Sequence, residues 1–135
     1  KTSLIQTEIR NKFYKAERLC SRKQIDLLFE KNKGLNALPL KAVYMETAEE
    51  LIFPMQAMFV VPKRNFKKAH DRNLLKRRMR EAYRLNKNSF YEALNSENKK
   101  MIVAFIYTSK KAEEYSIIHA ALIKLATGIF KVSKK

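Results

Sequence analysis

The sequence predicts a single-domain α+β fold in the order helix, strand, strand, helix, strand, helix. Three observations carry that expectation. Segments with helical apolar spacing alternate with short runs of β-branched and aromatic residues. A chain of 135 residues, 46% of them apolar, is long enough to bury a hydrophobic core as one domain. Two glycines and three prolines are too few for an interdomain linker, and no internal repeat or low-complexity run is visible.

Each element has its own signal. Ser21 is a suitable N-cap for a short helix over RKQIDLLFEKN, in which Ile25, Leu28 and Phe29 share one face. Asn32 to Gly34 supplies its stop. Leu40 to Thr47 has strand character and runs into an acidic turn. Ala57 to Val61, just before Pro62, reads as a strand buried on both faces, and Met101 to Thr108 as a second one. A long central helix is expected from about Ala69 to Leu94. Glu113 to Phe130 closes the chain as a helix with Ile117, Ala121, Leu122, Leu125 and Ile129 spaced for burial.

Charge separates the candidate functions. The chain has 29 Lys and Arg against 13 Asp and Glu, a net charge of +16. Between Lys63 and Lys87 lie eleven basic residues opposed only by Asp71 and Glu81, and residues 1–23 add seven opposed by Glu8 and Glu17. Glu46–Glu50 and Glu113–Glu114 are locally acidic, so the positive charge forms a patch and not a uniform coat. A polyanion is the expected partner, either nucleic acid or an anionic membrane surface. No stretch reaches the ~18 apolar residues of a membrane span. The charged N-terminus lacks an apolar core and is not read as a signal peptide. The single Cys20 cannot form a disulfide within the chain, which favours a cytoplasmic setting.

On a helical wheel of 100° per residue starting at Arg72, Lys76, Lys87, Arg80, Asn73, Arg84 and Arg77 fall between about 40° and 140°. Leu75, Met79 and Ala82 fall between about 280° and 340°. One arc is therefore apolar and the adjoining one almost purely cationic. Like charges four residues apart destabilise an isolated helix by a few tenths of a kcal/mol per pair. A solvated face would intersperse acids, so a phosphate backbone is expected against this row. Membrane insertion calls for apolar wedges beside the charges, and this face has none.

The segment FVVPKRNFKKAHDRNLLKRRMREAY resembles the signature of the protein component of bacterial ribonuclease P. That signature is a buried strand, a basic pair, a short loop, an Arg-Asn-Arg core and a helix with further cations. Lys63-Arg64 stands for the pair, Arg72-Asn73 for the first two core residues, and Lys76, Arg77 and Arg80 for the helical cations. Leu74 departs from the pattern where the third basic residue is usual. ERLCSRKQIDLLFEK is similar to the family's N-terminal segment, and the likeness runs over residues 17–130. It implies an α/β sandwich of order α-β-β-(β)-α-β-α with a left-handed βαβ crossover, ribosomal protein S5 domain 2-like, against the usual right-handed preference. Residues 1–16 are expected as a flexible basic segment and residues 17–135 as a single RNA-binding domain.

The resemblance implies the non-catalytic protein subunit of a ribonucleoprotein endoribonuclease. Its partners are the catalytic RNA and precursor tRNA, with no obligate protein partner. Its task is to assist hydrolytic removal of the 5′ leader, with Mg2+ held mainly by the RNA. The expected RNA-binding residues are Lys63, Arg64, Lys67, Lys68, Arg72, Asn73, Lys76, Arg77, Arg80 and Arg84. A leader groove beside the sheet is expected from Ile25, Phe29, Tyr44 and Val60, whose aromatics can stack on unpaired bases. Phe66 is read as packing beneath the helix. Two alternatives are a general RNA-binding or RNA-chaperone module, and a stand-alone nuclease. The latter needs an acid-base or metal cluster, and His70 and His119 have no partner at ligand spacing.

Overall fold

The computed structural model describes residues 17–30, 33–47 and 53–133, with side chains described as far as Ile129. The expectations for residues 1–16 and for the acidic turn at 48–50 lie outside the described residues. Helix α1 (Arg22–Glu30) starts where Ser21 Oγ accepts the Gln24 amide at 3.4 Å, as an N-cap should. Strands β1 (Lys33–Ala37) and β2 (Leu40–Glu46) form a hairpin, followed by β3 (Met55–Val60). The long helix α2 (Ala69–Ser96), strand β4 (Met101–Tyr107) and helix α3 (Tyr115–Ser133) complete the chain.

The sheet has the order β1-β2-β4-β3. Strand β2 pairs antiparallel with both β1 and β4, whereas β3 and β4 are parallel. Parallel neighbours need a long crossover, and α2 provides it. The resemblance allows for a third strand before the long helix, and it is β1, which its own residues do not signal because Gly34 and Asn36 weaken strand propensity. Pairing with β2 holds it in place, and Gly128 lets α3 come close: a Cβ there would meet Leu35 Cδ1 at 2.9 Å.

Alternation along the strands divides the core in two. Ala42, Tyr44, Ala57, Val103 and Phe105 face α2 and α3, where Leu75, Met79, Tyr83, Leu122 and Leu125 meet them. Val43, Ile102 and Ala104 face the other way, against Leu19, Leu28 and the half-buried Ile25. The molecule is thus a sheet between one short helix and two longer ones. Central β4 is buried almost throughout, as expected, but β3 is not, because it lies at an edge with Met58, Phe59 and Val60 half-buried. On α3, Ile118 takes the buried position and Ile117 is 43% exposed, one residue out from the expected stripe. Asn98 ends α2 in the left-handed conformation, where Asn substitutes well for Gly.

Candidate nucleic-acid interface

The loop between β3 and α2 is built around one aromatic anchor. Phe66 is buried and meets Tyr107 edge to face at 5.7 Å, the packing role expected of it. The amides of Asn65 and Phe66 both donate to Pro62 O, at 3.2 and 3.3 Å, closing a tight turn. With the loop held there, Lys63, Arg64, Lys67 and Lys68 all remain exposed. Arg72 closes the loop from the helix side: its Nη1 donates to the carbonyls of Phe66 and Lys67, each at 2.8 Å. Arg72, expected as an outward phosphate contact, thus has an inward structural role.

Along α2, Asn73, Arg77 and Arg80 are exposed and Lys76 is half-buried. Leu75, Met79, Ala82 and Tyr83 on the neighbouring arc are fully buried. The amphipathic division follows the wheel for these residues. Arg84 is occupied locally, with Nε donating to Glu81 Oε2 at 3.2 Å and Nη2 to Oε1. That bond holds the Glu81 carboxyl below its ordinary range and raises Arg84.

Lys87 lies on the cationic arc but not on the exposed ridge. It is 0% exposed, and its Nζ donates to both carboxylate oxygens of Glu17, at 2.8 and 2.6 Å. Tyr91 OH also donates to Glu17, and Tyr83 OH to Tyr91 OH at 3.5 Å. Burial pushes the Lys87 pKa down, although the carboxylate opposes it, and pushes both phenols up. The wheel places Lys87 correctly in angle. What it cannot show is that the segment before α1 covers that end of the ridge.

The four groove candidates do not share a face. Ile25 and Phe29 lie on α1, with Ile25 packed on the sheet and Phe29 45% exposed. Val60 belongs to the same side, opposite Ile106 in the register, and Ile106 packs in the α1-side cluster. Tyr44 is 4% exposed and points to the other layer, paired with Val103 in the α2 and α3 core. Its burial raises the phenol pKa and leaves no room for a base. Strand alternation alone makes this correction, since Val43 and Met45 must then line the α1 side. The half-buried Met45, Met58 and Ile106 join Ile25 and Val60 there.

Basic ridge and apolar face meet at the β3 edge. There Arg18, Leu19, Cys20, Ala57, Met58, Phe59, Lys76 and Arg80 line an open cleft of about 220 Å³. Arg18 and Cys20 were not among the expected site residues. Period-2 alternation of Glu17, Arg18, Leu19 and Cys20 was their only signal, with Glu17 and Leu19 buried and the other two exposed. The arrangement sets cations beside an apolar surface, with an opening between them.

Residues 13–129 match the family model described as Ribonuclease P. The ribonuclease P protein component of Porphyromonas gingivalis strain W83 is 32% identical over 110 residues, covering 82% of this chain and 80% of that protein. That of Chlorobaculum tepidum is 41% identical over 61 residues, 42% of this chain and 40% of that one. Among solved structures, the RNase P protein of Thermotoga maritima aligns with a TM-score of 0.65 at 23% identity, over 82% of this chain and 94% of that chain. The Staphylococcus aureus RNase P protein aligns with a TM-score of 0.64 at 20% identity, over 83% and 96%. The sequence match spans nearly the whole described domain and the fold agrees with it: the chain belongs to the family of ribonuclease P protein components.

Proposed function

We propose that this protein binds the catalytic RNA of ribonuclease P through the loop at 62–68 and the exposed ridge of α2, and the 5′ leader of precursor tRNA through the α1 side of the sheet. The RNA carries the hydrolytic chemistry, and the protein holds the substrate so that the scissile phosphodiester is presented to it. Family membership supports the assembly. The single observation that carries the placement is the meeting of Lys76 and Arg80 with Met58 at the β3 edge. A strand leaving a duplex can follow cations along its phosphates while its unpaired bases rest on apolar and aromatic surface.

In this reading Mg2+ is held mainly by the RNA. The interface is built of Lys, Arg and Asn, poor company for a hard cation that prefers carboxylate and phosphate oxygens. Among the described residues, no three His, Cys, Asp or Glu side chains come together to hold a metal. Among those same residues no helix is long and apolar enough to cross a membrane. The proposed setting is the cytoplasm, where precursor tRNA is made and a free thiol such as Cys20 is kept reduced.

The leader placement is tested by comparing Phe29→Ala with Tyr44→Phe in the assembled holoenzyme. Phe29→Ala should weaken binding of precursor tRNA by about 1 kcal/mol or more, the value of a lost base stack, and leave mature tRNA unaffected. Tyr44→Phe should change neither. Equal losses for precursor and mature tRNA in Phe29→Ala would place the leader elsewhere.

A further inference from the structure

The segment from Glu17 to Ser21 is pinned at three points within five residues. Glu17, 0% exposed, is clamped by Lys87 and Tyr91 of α2. Arg18 forms a parallel bridge with Ala57, and Leu19 N–H donates to Ala57 O at 2.9 Å. Ser21 then caps α1. Between these anchors the backbone runs along the open edge of β3, with Leu19 packed in the α1-side core. Alternation turns Arg18 and Cys20 outward, into the cleft shared with Lys76 and Arg80.

The clamp is large for a purely mechanical task. An ion pair fully out of water gains little over an apolar pair of similar shape, because desolvation offsets the attraction. An apolar residue at 17 would pack there but would not fix the direction of the chain. A carboxylate bound by two α2 side chains does fix it, and so sets which side chain of the segment faces the cleft. Lys76, Arg80, Lys87 and Tyr91 follow one another along one side of the same helix. The clamp thus ties the segment to the helix that carries the cations it lies beside.

We propose that Glu17 is a positioning residue for RNA binding, its carboxylate, held by Lys87 and Tyr91, placing Arg18 beside Lys76 and Arg80 at the β3 edge so that the three cations grip one stretch of phosphate backbone. The inference rests on the RNA-binding reading above and adds a residue that touches no RNA. Its sign is opposite to that of simple charge. Removing an acid from a +16 chain should strengthen binding to a polyanion; removing this one should weaken it.

The test measures affinity of the full chain for a bacterial ribonuclease P RNA transcript between about 50 and 200 mM salt. Glu17→Ala should bind more weakly than the wild type, with a salt slope shallower by about one unit, the loss of one phosphate contact. Arg18→Ala should give the same change, and the double variant no further one. If Glu17→Ala does not fold, as its circular dichroism will show, Glu17→Gln takes its place. The amide keeps the shape and one acceptor, and a smaller shift in the same direction is expected. A folded variant that binds as tightly as the wild type, or more tightly, with an unchanged slope overturns the inference. So does full additivity with Arg18→Ala. Wild-type protein without salt-dependent binding would instead remove the RNA-binding reading itself, and the positioning role with it.

Discussion

At the start of α2 a single guanidinium nitrogen serves two carbonyls, and this makes Arg72 unlike the cations that follow it. Its two bonds, each 2.8 Å, tie the helix to the loop that presents Lys63, Arg64, Lys67 and Lys68. Hydrogen bonds from a charged donor contribute about 1.5–3 kcal/mol, so Arg72→Ala should loosen the loop as well as remove a charge. Amide hydrogen exchange should become faster across residues 63–68 while the core of β4 keeps its protection. Arg72→Lys keeps the charge on a side chain one atom shorter, and should show the same loosening. Unchanged loop exchange in both variants would return Arg72 to a simple phosphate contact. Residue type and spacing make Arg72 visible in the sequence, but nothing in a linear motif distinguishes an arginine that reaches out from one that also reaches back. Lys87 and Tyr44 carry the same lesson. Angle or chemistry points each of them to a surface, and each is covered by a segment distant in sequence.

At the scale of elements, the division of α2 into apolar and cationic arcs was legible because a 3.6-residue period is a local property. The apolar runs of β3 and β4 were legible for the same reason, as was the capping of α1 by Ser21. Strand β1 was not, since KGLNA is short, has no β-branched residue, carries Gly34 and Asn36, and is held by its partner. Nor could the sequence show that β3 lies at an edge, because strand order is set by which faces the helices cover. That edge position is what opens the cleft. The row Lys76, Arg77 and Arg80 is therefore the part of α2 to be tested as a unit, with Arg84 engaged by Glu81 and Lys87 buried. Changing Lys76, Arg77 and Arg80 together to Gln should weaken RNA binding and flatten its salt dependence by up to about three counterion units. Thermal stability should hold or rise slightly, since the change relieves like-charge repulsion along the helix. An unchanged slope would take this ridge out of the interface.

For the whole molecule, Arg18, Lys76 and Arg80 of this +16 chain meet where one layer of the sandwich ends and the other begins. The segment clamped by Glu17 and the ridge of α2 converge on the β3 edge, although they come from residues 17 to 91, and the loop tied by Arg72 joins β3 to α2. Such convergence suits a protein that organises a structured RNA, and among the described residues no three His, Cys, Asp or Glu side chains come together to hold a metal. A general RNA chaperone would share the charge but would have no preference for one RNA or one reaction. The decisive measurement is cleavage of precursor tRNA by a bacterial ribonuclease P RNA at magnesium too low for the RNA to act alone, with and without this protein. The protein alone should cleave nothing, and its addition should restore release of the mature 5′ end, with Lys76, Arg77 and Arg80 required. Folded protein that binds the RNA yet leaves cleavage at the level of RNA alone would contradict the account.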